Sequence, residues 1–126
     1  MGKYDFAETF RKRTKNLAIE IIKLYQTLPK TEESKIVGRQ IIRSATSVAA
    51  NYRAACRGIS QKELHANLSI TIEEADETLL WIEIVEKSEI SKSEILAHLK
   101  TESIEIVQVF SKAHKTVSEN ICKKTE

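Results

Sequence analysis

The chain has 126 residues, a formal net charge of +2, 41% hydrophobic residues and 30% charged residues. This length accommodates one domain with a real core, residues 1–126, and the composition is typical of a folded globular protein rather than a disordered chain. No apolar run reaches the roughly 18 residues of a membrane helix, and the N-terminus lacks the apolar stretch of a secretory signal. We therefore expect a cytoplasmic protein with no membrane partner.

The charge is unevenly distributed along the chain. Residues 1–62 hold 13 Lys and Arg against 5 Asp and Glu, a net charge of +8, whereas residues 63–126 hold 7 against 13, a net charge of −6. Two interpretations remain open. Basic helices can lie against acidic neighbours within the fold, or part of the basic half can be free to bind a polyanion.

Three glycines and a single proline favour long uninterrupted helices over a turn-rich β fold. Asp5, with an acidic residue three positions later, has the pattern of a capping box and predicts a first helix over residues 5–27. Thr31 follows the proline and is suited to cap a second helix over residues 32–57. The apolar stripe of that second helix continues at helical spacing as far as Ile59.

The capping pattern Ser-x-x-Glu occurs twice more, beginning at Ser60 and at Ser91. It predicts a third helix over residues 61–87 and a fourth over residues 92–122. Helices of this length span about 35 Å at about 1.5 Å per residue, and the short links between them force antiparallel neighbours. The predicted fold is all-α, an antiparallel up-down-up-down four-helix bundle.

The third and fourth helices carry more apolar surface than one small core can bury. A helix that is apolar on two faces lies either in a large core or at a subunit interface. We expect a homo-oligomer, and the alternative is a wide apolar stripe packed within a monomer. The predicted interface residues are Leu80, Trp81, Ile84, Ile104 and Val107.

Polar side chains of the second helix lie close to its apolar stripe and are therefore expected to be hydrogen-bonded. The acids of the third helix between positions 73 and 77 are their expected partners. The predicted structural network comprises Gln40, Arg43, Ser47, Asn51, Glu73 and Glu77.

The sequence contains no pattern for catalysis or for cofactor binding. A di-iron bundle needs Glu-x-x-His pairs, and none of the three histidines has Glu three positions before it. Walker, dinucleotide-binding and nucleophile-elbow motifs do not occur either. We predict no catalytic residue, no metal, no cofactor and no small-molecule substrate, and hence no enzyme.

Basic residues cluster early in the first helix and recur at helical spacing on the second. Cations in the first turns of a helix oppose its macrodipole, a local conflict that functional patches often carry. Contact with a phosphate backbone would use charge and shape rather than base sequence, and the alternative is an ordinary solvated face. The candidate nucleic-acid-binding residues are Arg11, Lys12, Arg13, Lys15, Arg39, Arg53 and Arg57.

Several motifs together resemble a known family over nearly the whole chain. They are the Leu28-Pro29 link, then Gln40, Arg43, Ser47 and Asn51 in register, and the stretch from Glu73 to Trp81. This arrangement resembles the small four-helix-bundle proteins known as 23S rRNA intervening-sequence proteins. Many members continue after the Asn with Ile-Ala-Glu-Gly, whereas this chain has Tyr52-Arg53-Ala54-Ala55.

The resemblance implies a bacterial protein that forms a homopentameric ring. A related branch, the accessory proteins of diversity-generating retroelements, consists of similar basic pentamers that bind nucleic acid and a reverse transcriptase. The leading hypothesis is therefore a non-enzymatic ring that binds RNA or DNA through basic residues of its first two helices. The alternative is a protein-interaction adaptor with no nucleic-acid role, which would use the surface around Leu80, Trp81 and Ile84.

Overall fold

The computed structural model describes residues 5–125, and in this range it consists of four helices joined by short links. They are α1 (Phe6–Thr27), α2 (Glu32–Cys56), α3 (Gln61–Lys87) and α4 (Ile95–Thr125). Each helix packs on the next along the chain, and α4 packs back on α1 over a smaller contact. No strand occurs within residues 5–125, so the predicted all-α four-helix bundle is confirmed.

Two polar side-chain contacts between α1 and α4 show the relative direction of these two helices. Arg13 contacts Glu102, with 2.7 Å between Nε and Oε1, and Glu20 contacts His98, with 3.3 Å between Oε2 and Nε2. As residue numbers rise along α1, those of its partners fall along α4, so the two helices are antiparallel.

The core lies along the bundle axis and is mainly apolar, with a few buried serine and threonine side chains. Each helix contributes a fully buried isoleucine, namely Ile21, Ile41, Ile82 and Ile106. Complete burial of one such side chain stabilises a fold by about 1.5–3 kcal/mol. Within residues 5–125, no helix combines the length and the apolarity needed to cross a membrane.

Three helix starts follow the predicted capping pattern. The side chains of Asp5, Thr31 and Ser60 each accept a hydrogen bond from the backbone N–H three residues further on, at 3.1, 3.2 and 3.1 Å. Each bond satisfies one of the backbone donors that a helix N-terminus leaves without a partner, and such a cap contributes about 1 kcal/mol.

Four boundaries differ from those that the sequence pattern predicts: the start of α1 and the end of α2 by one residue each, and both ends of α4 by three residues. The last helix begins at Ile95 rather than at residue 92, because Ser91 and Ser93 each accept a hydrogen bond from the N–H two residues on, which forms short turns instead of a capping box. The second helix ends at Cys56, so Ile59 lies in the link to α3 and is 92% exposed rather than part of the α2 stripe.

Gly38 of α2 lies directly against the side chain of Tyr25 of α1. A Cβ atom at this position would overlap with the ring of Tyr25. Glycine therefore lets the aromatic ring pack directly on the α2 backbone, and this contact sets the spacing of the two helices that carry the basic residues.

Substituting Gly38→Ala is expected to lower the free energy of unfolding by about 1–3 kcal/mol, because the added methyl overpacks the contact. At an ordinary helix position the same change would stabilise by about 0.5–1 kcal/mol. Urea unfolding measures the sign. In a Tyr25→Ala background the penalty should disappear, and a stabilising effect of Gly38→Ala in the native background would contradict the contact.

Candidate nucleic-acid interface

A basic groove of about 370 Å³ lies between the first half of α1 and the last half of α2. Its lining includes five of the seven basic residues predicted from sequence, and the remaining lining residues are Glu8, Ala49 and Cys56. The five are Arg11, Lys12, Lys15, Arg53 and Arg57. We call this feature the basic groove below.

Helix geometry explains why these residues meet. Arg11 and Lys15 are four residues apart on α1, and Arg53 is four residues before Arg57, the residue that caps the end of α2, so each pair projects to one side. The two helices pack side by side, which places the two faces across from each other. Ala49 has too short a side chain to fill the space between them, so the basic groove stays open.

The charge of the basic groove is only partly compensated. Glu8 pairs with Arg11 and, at 3.5 Å between Oε1 and Nζ, with Lys12. The hydrogen bond from Arg11 is the main cause that lowers the pKa of Glu8. Exposed pairs of this kind contribute little stability. Five cations against one carboxylate leave the groove strongly positive.

The other cations of the groove have no acidic partner. Within the described part of the chain, Lys15, Arg53 and Arg57 lie outside ion-pair distance of any Asp or Glu. All three side chains are exposed to solvent. Arg53 also lies in the last turn of α2, where a cation interacts favourably with the helix dipole. These side chains are free to pair with an external anion.

Arg13 and Arg39 lie outside the basic groove. Arg13 faces α4, where it donates to Glu102 at 2.7 Å and to Glu105 at 3.1 Å while its guanidinium covers the ring of Phe10. The hydrogen bond with Glu102 is the main cause that raises the pKa of Arg13. Its charge therefore serves the α1–α4 contact. Arg39 is exposed on α2.

Arg43 is the centre of a polar network between α2 and α3. Its guanidinium donates to Gln40 at 3.4 Å, to Glu74 at 3.2 Å and to Glu77. The indole N–H of Trp81 donates to the same Glu77 carboxylate at 3.1 Å. The hydrogen bond from Trp81 is the main cause that lowers the pKa of Glu77, and the hydrogen bond from Arg43 lowers it further.

The remaining residues of the predicted network are arranged differently. Asn51 donates to the backbone carbonyl of Ser47 at 2.8 Å, a contact within α2. The structure places Glu74 rather than Glu73 beside Arg43, and Glu73 is exposed. Sequence reasoning located the correct stretch of α3, but the choice between adjacent acids depends on the rotation of α3 against α2.

Two of the five predicted interface residues are exposed on the surface of α3 and α4. Leu80 is 49% exposed and Ile104 is 37% exposed. Ser69 of α3 contacts His114 of α4. Leu80 lies eleven residues after Ser69, and Ile104 lies ten residues before His114. The two apolar side chains are therefore at about the same level along the bundle axis. Trp81, Ile84 and Val107 are instead partly buried against the core.

A pair of stacked histidines joins α3 and α4, and sequence reasoning did not find it. The rings of His65 and His114 lie 3.9 Å apart between centroids, and their Nε2 atoms lie 2.7 Å from the hydroxyls of Ser118 and Ser69. Burial is the main cause that lowers the pKa of His114, and the charge of His65 lowers it further. No group of three or more His, Cys, Asp or Glu among the described residues is arranged to hold a metal ion.

Comparisons with known proteins agree with this architecture. The family model described as 23S rRNA-intervening sequence protein matches residues 9–112, so the chain belongs to this family. A crystal structure of a protein with unknown function from the S23 ribosomal protein family of Bacteroides thetaiotaomicron is similar, with a TM-score of 0.78 and 28% sequence identity. The match covers 86% of this chain and 97% of that one. The comparison with curated proteins gives no match.

The histidine pair predicts a specific dependence of stability on pH. Because the folded state lowers the pKa of His114 below its usual 6.5, the folded protein binds fewer protons than the unfolded chain. The protonation of His114 therefore does not affect the free energy of unfolding at a pH well above 6.5, and it destabilises the fold as the pH falls below 6.5. Urea unfolding measures the stability of both proteins at pH 7.5 and at pH 5, which bracket about 6.5. We expect His114→Gln to lose less stability between these two pH values than the native chain. Parallel pH profiles for the two proteins would contradict this assignment.

Proposed function

We propose that this protein is a non-enzymatic, homo-oligomeric scaffold of the bacterial cytoplasm that binds the phosphate backbone of RNA or DNA. The observation that carries the proposal is the basic groove, in which Arg53 and Arg57 face Lys15 and none of the three has an acidic partner among the described residues. Exposed cations without partners release bound counterions of a nucleic acid when they contact its phosphates, and this release drives binding.

The composition of the basic groove favours recognition of the backbone over recognition of bases. None of its described lining residues is aromatic, so it offers no surface on which an unpaired base could stack. Arginine provides a planar fork of donors that matches a phosphate, and lysine provides a mobile point charge. A duplex backbone is the ligand that such a groove fits best.

We propose that the chains assemble into a pentameric ring. Such a ring would repeat the basic groove around the particle. The exposed Leu80 and Ile104 on the outer side of α3 and α4 support a subunit contact there. The basic groove lies between α1 and α2, so this contact would leave it accessible. Several weak grooves acting on one strand raise the overall affinity without any new contact.

Substituting Arg53→Gln together with Arg57→Gln should weaken binding of a 20-base-pair duplex RNA at low salt by about tenfold or more. The slope of log affinity against log salt should fall by about one for each phosphate that the variant no longer neutralises. Fluorescence anisotropy over a salt series measures both quantities.

Arg39→Gln is the matched control, because Arg39 is an exposed arginine of the same helix outside the basic groove. It should change neither the affinity nor the slope. Equal losses in both proteins would indicate a diffuse charge effect. If the native chain fails to bind duplex RNA and DNA while a protein partner remains bound at moderate salt, the adaptor hypothesis would replace this proposal.

Substituting Leu80→Glu should reduce the mass measured by light scattering in line with size exclusion, because a buried charge disfavours an apolar contact. Ile36→Glu is the control, since Ile36 is similarly exposed, at 51%, but lies on α2. An unchanged mass for Leu80→Glu, or an equal loss for Ile36→Glu, would exclude this face as the interface.

A further inference from the structure

A second and larger cavity, of about 1000 Å³, lies at the end of the bundle next to the basic groove. It exists because α4 extends further than α1 at this end of the bundle. The ring of Phe6, the first residue of α1, lies 6.4 Å from that of Phe110, and α4 continues for fifteen residues beyond Phe110. The last part of α4 therefore has no α1 residues opposite it, and no residue of the range 5–125 fills the space that a fourth helix would occupy there.

The walls of this end cavity are mainly apolar. They include Leu64 and Leu68 of α3 and Val117 and Ile121 of α4. The walls also hold Gln61, whose Oε1 atom is buried without a hydrogen-bond partner in the described part of the chain. The volume lies at the upper end of the range for small-molecule sites, about 300–1,000 Å³.

A continuous line of side chains connects the end cavity to the basic groove. Cys56 lines both. On one side Tyr52, four residues before Cys56 on α2, lines the end cavity. On the other side Arg11 lines the basic groove together with Cys56. An apolar volume and a cationic surface thus meet at one residue.

We propose that the end cavity and the basic groove together bind a single-chain amphiphile with a phosphate headgroup. The apolar chain occupies the end cavity, and the phosphate lies near Cys56 and pairs with Arg11 and Arg57. The charge of the groove selects an anion, and the apolar walls select a chain over a free phosphate. The site shares its cations with the proposed nucleic-acid function, but it does not depend on nucleic-acid binding.

Isothermal titration of the native chain with dodecyl phosphate, kept below its micelle concentration, tests this assignment. We expect one site per chain and an affinity at least about tenfold higher than for inorganic phosphate or for dodecanol. Circular dichroism during the titration verifies that the helices persist. If inorganic phosphate binds as tightly, the end cavity contributes nothing, and if dodecanol binds as tightly, the cations contribute nothing. Either result overturns the proposal.

Thr116→Phe provides a variant that separates the two sites. Thr116 is exposed and lines the end cavity, so the larger side chain fills space without disturbing the core. It should lower the affinity for dodecyl phosphate by about tenfold and leave duplex RNA binding unchanged. Thr101→Phe, at an exposed position elsewhere on α4, should leave both unchanged. Equal affinities of the two variants for dodecyl phosphate would contradict the proposed amphiphile site. If Thr116→Phe lost only RNA binding, the result would bear on the proposed nucleic-acid function and not on the amphiphile site.

Discussion

The stacked rings of Tyr52 and Phe110 fix the end of the bundle on which both candidate sites depend. Their centroids lie 4.6 Å apart, and Phe10 adds a third ring at 5.3 Å from Phe110. Aromatic pairs of this kind contribute about 0.5–1.5 kcal/mol beyond the burial of their surface. The three rings join α1, α2 and α4 at one level. They thereby determine where α1 starts relative to the end of α2, which creates the basic groove on one side and the end cavity on the other.

The cations of the basic half fall into two groups, those that are paired with acids inside the bundle and those that are not. Arg13 and Arg43 are complemented inside the bundle, by acids of α4 and of α3. Lys15, Arg53 and Arg57 have no such partner in the described part of the chain. The difference follows from helix phase, because Arg13 is only two residues from Lys15 but projects from α1 about 160° away from it. Net charge alone could not separate the two groups.

Local sequence rules predicted the helices well and the sites only in part. The caps at Asp5, Thr31 and Ser60 depend on residues three positions apart, and such short-range signals are readable in a single sequence. The same rule failed at Ser91, where competing side-chain bonds to nearby N–H groups form turns.

Long-range features could not be predicted from local patterns. The stacking of His65 on His114 and the end cavity depend on how far one helix extends past another. The apolar stripe of α4 has the same spacing whether or not α1 lies opposite it, so the sequence contains no sign that the stripe lines a cavity at Val117.

The most direct test of the central claim is to follow the side-chain Nε–H signals of the arginines by NMR while duplex RNA is added at low salt. If the basic groove holds the phosphates, the signals of Arg11, Arg53 and Arg57 should shift with increasing RNA. Those of Arg13 and Arg43, which are held by internal carboxylates, should stay in place. Shifts confined to Arg13, Arg39 or Arg43, or no shifts at all, would contradict the account.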